Sequence, residues 1–207
     1  MGRVLLGIVI GIVLVPLFGL MYLKYGHPPV AVGDAPWPYE KLAAGLALKS
    51  RIEYEKQENP PIKADGDTFI AGAHIYAQEC AVCHGFHGQP SRFGTHMFPV
   101  APPLWEKHHN GSVVGVSDDP VGETYWKVAN GIRLTGMPSY TGILTQAQMW
   151  QVSILLANAD KPLPPEAISI LRGEASATPA SDAANGSGAA ILNPPAGMKA
   201  TVSRGAN

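Results

Sequence analysis

The chain has 207 residues, a net charge of −1 and a charged fraction of only 15%. This net charge gives no indication of the basic surface that nucleic-acid binding requires, so we expect no nucleic-acid partner. The 23 glycines and 19 prolines favour one modest, loop-rich domain with irregular appendages.

The first predicted element is an uncharged apolar stretch of 20 residues, from 4 to 23. A helix of that length spans roughly 30 Å, which is the thickness of the hydrocarbon core of a bilayer. A cleaved signal peptide has a shorter apolar region, about 7–15 residues, and ends at a small-residue cleavage site. We therefore predict that residues 1–26 form a retained transmembrane anchor that contacts the lipid bilayer through residues 4–23.

The next segment, residues 27–61, is predicted to be a linker that contains one helix. Several prolines interrupt its first part, whereas residues 39–59 are rich in Ala, Leu, Glu and Lys. The apolar stripe of this helix is weak, with Leu42 and Leu46 on one face. The pattern favours a solvated spacer over a helix that docks on a partner subunit or on the membrane surface.

The last segment, residues 162–207, is dominated by Ala, Ser, Gly and Pro and has no aromatic residue. Such a composition buries too little apolar surface to offset the entropy lost on ordering. We predict a disordered tail there. Residues 62–161 remain as the folded domain, which has an ordinary size.

Helical patterns dominate this domain. Asp65 or Asp67 can cap a first helix that runs to the first cysteine. Residues 121–131 predict a short helix that ends at a glycine, and Thr145 can cap an amphipathic last helix. The intervening residues 85–120 predict a long irregular stretch, which in a compact domain needs a large object to wrap around.

The only cysteines of the chain are Cys80 and Cys83, and His84 follows directly. A disulfide between them would close a tiny loop and stabilise little, and a thioredoxin-like dithiol expects a βαβ context. Zinc normally takes four ligands, which His84 and His87 would complete only in a cramped arrangement. The remaining option is C-x-x-C-H, the attachment signature of c-type haem. We predict that both thiols carry one haem c and that His84 is the proximal iron ligand.

With these flanking residues the segment 65–159 resembles a class I cytochrome c, which implies an all-α, cytochrome c-like domain wrapped around one covalently bound haem. In that family a glycine and an aromatic residue four positions later mark where the first helix crosses the last. Gly72 and Tyr76 stand at that spacing, and Trp150 would be the reciprocal aromatic residue. Glycine allows the two backbones to approach closely, and the aromatic ring fills the groove.

The resemblance also implies a second axial ligand, usually a methionine in a loop before the last helix. Met137 lies in the sequence GMPSY, 53 residues after His84, and matches that pattern. A thioether is a soft ligand that favours ferrous iron. Met97 is an alternative that needs a different loop fold, and bis-histidine ligation is another. The histidines available for it are His96, His108 and His109.

In this family a proline carbonyl accepts a hydrogen bond from the proximal histidine, and Pro102 and Pro103 are both candidates. Trp105 follows them and is a candidate for lining the haem. Tyr140 fits the haem wall, a propionate hydrogen bond or the protein core, and so do Tyr125 and Trp126. Arg133 either pairs with a propionate or is an exposed charge.

Covalent haem attachment takes place outside the bacterial cytoplasm, so the resemblance implies a single-pass protein of the inner membrane with a periplasmic haem domain. Two filled axial positions imply one-electron transfer between membrane or periplasmic redox partners, as a shuttle or as a subunit of a respiratory complex. We do not expect the chain to be an enzyme by itself. The alternative is a haem-based gas sensor or haem enzyme with a displaceable methionine.

Overall fold

The computed structural model describes residues 1–108 and 111–174, which form seven α-helices and a single two-stranded β-ribbon. The predicted all-α fold class is confirmed, since each strand has only two residues. The helices are α1 (Gly2–Tyr25), α2 (Glu40–Glu55), α3 (Gly66–Ile75), α4 (Ala81–His84), α5 (Val121–Asn130), α6 (Gln146–Leu156) and α7 (Pro165–Leu171). The strands are β1 (Lys107–His108) and β2 (Val113–Val114), which pair antiparallel. A π-helical turn (Tyr76–Cys80) and a 3-10 turn (Gly94–His96) complete the described elements.

Side-chain caps fix where α3 and α6 begin. The Asp65 carboxylate accepts a hydrogen bond from the Thr68 backbone N–H at 3.0 Å. Thr145 caps α6, and its backbone N–H donates to the Gln148 side-chain oxygen, which completes a capping box. Of the two predicted caps for α3, Asp65 fills the position, and both helix starts follow from local sequence.

The core forms where α3 crosses α6. A Cβ atom added at Gly72 would lie 2.6 Å from the carbonyl oxygen of Gln151, so this crossing has room for glycine alone. Tyr76 and Trp150 are both fully buried beside it. Tyr125 of α5 stacks on Trp150 with ring centroids 4.0 Å apart, so α5 also packs on α6.

The helix α2 packs against α5 of the same domain, which differs from the predicted spacer and from docking on a partner or a membrane. Ile52 is only 2% exposed, and the Trp126 indole N–H donates to the Glu55 carboxylate at 3.0 Å. Leu42 and Leu46, which looked like the apolar stripe, are exposed. Ile52 is the one buried residue of this helix, and such a sparse pattern leaves the hydrophobic periodicity weak.

The start of the predicted disordered tail also differs from the structure. Residues 165–171 form α7, and Ala167, Ile170 and Leu171 are buried against the domain. A seven-residue helix is too short to be stable alone, so its order comes from tertiary packing on α3. The rest of the predicted tail, residues 175–207, lies outside the described residues.

At the other end α1 exposes its apolar side chains along its whole length. Within the described ranges it is the one helix long and apolar enough to cross a bilayer. Its suitability as a membrane span rests on length and apolar composition, which are the features that the sequence pattern predicted.

Candidate haem site

A cavity of about 270 Å³ lies among α4, α5 and the loops before and after α5. Apolar side chains dominate its walls. Seven of the residues singled out from the sequence line it together: Cys80, Cys83, His84, Met97, Pro102, Met137 and Tyr140. The fold therefore places the cysteine motif and the loop that contains Met137 at the same cavity, although they are more than fifty residues apart in the chain.

The helical pitch changes at the cysteine motif, which lies at this cavity. The chain widens into the π-helical turn Tyr76–Cys80 and then tightens into α4. The helix ends at Gly85, where φ is +79° and an added Cβ would lie 2.5 Å from the carbonyl oxygen of Gln89. The Tyr76 hydroxyl donates to the Gly85 carbonyl at 2.6 Å, which ties this end of the motif to the core.

The imidazole of His84 is held in one orientation. Its Nδ1 atom lies 2.7 Å from the carbonyl oxygen of Pro102, and a carbonyl can only accept, so Nδ1 carries the proton. Nε2 is then the unprotonated nitrogen, and it has no hydrogen-bond partner in the described part of the chain. Burial lowers the pKa of His84, against the opposing effect of the Pro102 hydrogen bond. A neutral imidazole with a free Nε2 is the form that binds a metal ion.

The two cysteines are half-buried and not joined by a disulfide. Burial raises the pKa of Cys80 to about 12, and the nearby Glu79 and Cys83 act in the same direction. A redox-active thiol has a lowered pKa, so this environment opposes a reactive dithiol. Among residues 1–108 and 111–174, no three His, Cys, Asp or Glu side chains are grouped to hold a metal ion.

Met137 reaches the cavity from a tightly turned loop. The Ile132 backbone N–H donates to the Met137 carbonyl at 3.2 Å, and the Met137 N–H donates to the Thr135 hydroxyl at 3.1 Å. Gly131 opens this loop with φ of +66°, where an added Cβ would lie 2.6 Å from the Pro138 carbonyl carbon. These contacts engage the backbone of Met137, and the residue lines the cavity.

A second methionine, Met97, lines the same cavity. An added Cβ at Gly136 would lie only 1.7 Å from the Met97 methyl carbon, so Met97 packs directly on the loop that carries Met137. The competing histidines are engaged elsewhere: His96 Nδ1 lies 2.8 Å from the Arg92 carbonyl, and His108 Nε2 contacts the Gly115 carbonyl. Neither of them lines the cavity, and His109 lies outside the described residues.

Two predicted contact residues lie away from the cavity. Pro103 is exposed, and Pro102 is the proline whose carbonyl meets His84. Trp105 is buried in the core, edge-on to Tyr76 with ring centroids 5.5 Å apart. The side chain preceding it in the chain, Leu104, faces the cavity instead.

Of the remaining aromatic candidates, only Tyr140 lines the cavity. Its hydroxyl donates to the Glu79 carbonyl at 2.7 Å, and burial raises the pKa of Tyr140 to about 12. Tyr125 belongs to the core stack, and Trp126 binds α2. Arg133 is exposed, with no ion pair in the described part of the chain.

Sequence reasoning missed several residues of the cavity wall. Val128 is an ordinary apolar contact from α5, and Leu48 comes from α2. Lys127 is held at 3.0 Å by Asp119 and at 2.8 Å by Glu123. Thr124 is 4% exposed, and its hydroxyl has no hydrogen-bond partner within residues 1–108 and 111–174. No residue pattern marks these positions, because only the packing of α2 and α5 brings them to the cavity.

These residues fit a c-type haem. The neutral imidazole offers Nε2, the methionines offer soft thioethers, and the two thiols stand three residues apart on one wall. The apolar lining suits a macrocycle, and the unsatisfied Thr124 hydroxyl leaves one polar group for a polar substituent.

Comparison with known proteins agrees with this chemistry. The family described as "Cytochrome C oxidase, cbb3-type, subunit III" matches residues 67–154. A thiosulfate dehydrogenase from Stutzerimonas stutzeri (strain A1501) is 30% identical over 148 residues, which are 69% of this chain and 45% of that protein. The chain thus spans less than half the length of this relative.

Among solved structures, a chain titled "Kuenenia stuttgartiensis reducing HAO-like protein complex Kustc0457/Kustc0458" is 20% identical, with a TM-score of 0.41. The match covers 68% of this chain and 70% of that one, and a score this low establishes no shared fold. The family match contains the whole C-x-x-C-H motif together with Met137, and such a domain implies covalently bound haem c. Over this segment the chain is similar to c-type cytochromes, and these matches support a class I c-type cytochrome.

Proposed function

We propose that this chain is a membrane-anchored carrier of single electrons with one haem c. In this proposal Cys80 and Cys83 carry the haem, and His84 and Met137 are its axial ligands. The observation that carries the proposal is the shared cavity, which His84, with its imidazole fixed by Pro102, and Met137 both line.

A bound haem c supplies a reversible one-electron couple between ferric and ferrous iron. The chain's own residues set the conditions for that couple. Pro102 orients the His84 ring, and the thioether of Met137 favours the ferrous state. The apolar wall excludes water from the site, and Tyr140 ties the Met137 side of the cavity to Glu79.

The proposed location is the bacterial inner membrane, with α1 as a single span and the haem domain on the periplasmic side. The length and composition of α1 support the span, and Arg3 favours a cytoplasmic N-terminus. Anchoring confines the domain near membrane-bound partners and so raises their effective concentration. Residues 1–26 would be the anchor, residues 27–61 would carry α2, and the haem domain would begin near residue 62.

The proposed partners are redox proteins, with the chain acting as a subunit of, or a carrier for, a respiratory complex. The family match supports this reading, since that family is named for an oxidase subunit. The name of the similar dehydrogenase describes that longer protein, and we propose no thiosulfate chemistry for this chain.

The test is to produce the full chain in a host that matures c-type cytochromes. We expect haem to stay with the polypeptide after denaturation, and the reduced protein not to bind carbon monoxide, because Met137 fills the sixth position. A haem-free chain, in a host that matures a control cytochrome, would refute the proposal. Rapid carbon monoxide binding would favour the sensor or enzyme alternative.

A further inference from the structure

The helix α2 ends before residue 67, where the family match begins, yet its Leu48 lines the haem cavity. We propose that α2 is a wall of the haem site and that Leu48 is a cofactor-contact residue that keeps water from the haem. This inference rests on the haem position proposed above. It assigns a cofactor role to a segment outside the family match.

Three residues of α2 lie on one face of the helix, and this face contacts α5 and the cavity. Leu48, Ile52 and Glu55 stand at positions i, i+4 and i+7, which lie on the same side of an α-helix. Leu48 is half-buried and Ile52 is 2% exposed, whereas Leu46 on another face is 61% exposed. The burial of Leu48 is therefore specific to this face.

Two further contacts hold this face in place. Glu55 binds Trp126 of α5 through one carboxylate oxygen and Arg51 through the other, at 3.0 and 2.6 Å. Beyond the helix, the Gln57 carbonyl passes so close to Gly122 that an added Cβ would lie 1.6 Å away. Position 122 thus has no room for any side chain, and α2 is seated on the N-terminal half of α5.

The wall that Leu48 joins also contains Thr124, Lys127 and Val128 of α5. An apolar side chain there limits solvent access, and lower local polarity disfavours the more highly charged ferric state. Removing that side chain is expected to admit water and to lower the reduction potential.

The decisive comparison measures the reduction potential of the full-length chain in detergent. It compares the variant Leu48→Ser with a matched control, Leu46→Ser, on the exposed face of the same helix. For Leu48→Ser we expect a roughly two- to threefold lower ratio of reduced to oxidised protein at a fixed ambient potential. That change equals a downward shift of about 18–28 mV at 59 mV per tenfold change. Leu46→Ser should match wild type, and equal potentials in the two variants would overturn the inference.

A second variant covers the case in which Leu48→Ser does not fold. Trp126→Phe removes the indole N–H that binds Glu55 and keeps an aromatic ring on α5. We expect faster hydrogen exchange in α2 and a potential shift in the same direction. Faster exchange with an unchanged potential would show that α2 docks without shielding the haem. Covalent haem in the wild-type protein is measured first, and its absence would refute the proposed function itself and this inference with it.

Discussion

The Nδ1 atom of His84 and the carbonyl oxygen of Pro102 lie 2.7 Å apart, across eighteen positions of the chain. This hydrogen bond connects the cysteine motif to the loop that follows it and fixes the tautomer of the imidazole. The loop is held from the other side as well, since the Ala101 backbone N–H donates to the Gly94 carbonyl at 3.2 Å. The predictions below start from the cavity that these contacts shape.

Replacement of the proposed sixth ligand tests which methionine binds the iron. Met137→Leu should open the sixth position, allow carbon monoxide to bind and lower the reduction potential by on the order of 0.1 V, because axial ligands set the potential of haem iron. Ligand-field spectra and redox titration measure these changes.

The matched control is Met97→Leu, in the other methionine of the cavity. It should keep the wild-type spectrum, because it preserves apolar volume beside Gly136. The opposite result, with Met97→Leu losing the sixth ligand, would move the axial role to Met97.

The two cysteines are expected to contribute one covalent bond each. Cys80→Ser and Cys83→Ser should each leave at most a single thioether bond and reduce the haem retained after denaturation. The double variant should release all of its haem, because a hydroxyl does not replace the thiol. Haem staining of denatured protein makes the comparison, and full retention in the double variant would contradict covalent attachment through these residues.

The crossing of α3 and α6 should tolerate only glycine at position 72. Gly72→Ala places a Cβ 2.6 Å from the Gln151 carbonyl oxygen, so we expect the free energy of unfolding to fall by about 1–3 kcal/mol. Gly45→Ala, at a helical glycine with no neighbour within 4 Å, is the control and should not destabilise. Chemical denaturation measures both, and equal effects would show that the crossing is looser than the structure indicates.

The helix α7 should contribute to the stability of the domain. Leu171 is fully buried, so Leu171→Ala should lower the free energy of unfolding by about 2–5 kcal/mol. Ile168→Ala, at a half-buried position of the same helix, should cost clearly less. An unchanged unfolding midpoint for Leu171→Ala would support the disordered tail that composition predicted.

Much of the fold follows from local chemistry. The caps at Asp65 and Thr145 need only a side chain and a nearby backbone N–H, so a few residues determine them. The resemblance to class I cytochromes c predicted a helix crossing at Gly72 and Tyr76, and the structure has that crossing.

The predictions that differ from the structure depend on contacts between distant segments. Composition placed residues 165–171 in a tail, but packing on α3 makes them a helix. Weak periodicity favoured a spacer at α2, but the buried Ile52, the Trp126–Glu55 hydrogen bond and the close approach of Gln57 to Gly122 dock it on α5. The composition of either segment alone does not reveal contacts with a distant helix.

For the site, the sequence by itself determined the chemistry, because C-x-x-C-H places two thiols and an imidazole within five residues. Tertiary structure alone decided the surroundings. It selected Pro102 over Pro103, moved Trp105 into the core, and brought Met97 and Leu48 to the same cavity as Met137. The physical reason is distance along the chain: a motif acts through neighbouring residues, whereas a cavity wall exists only after separate helices and loops have packed together.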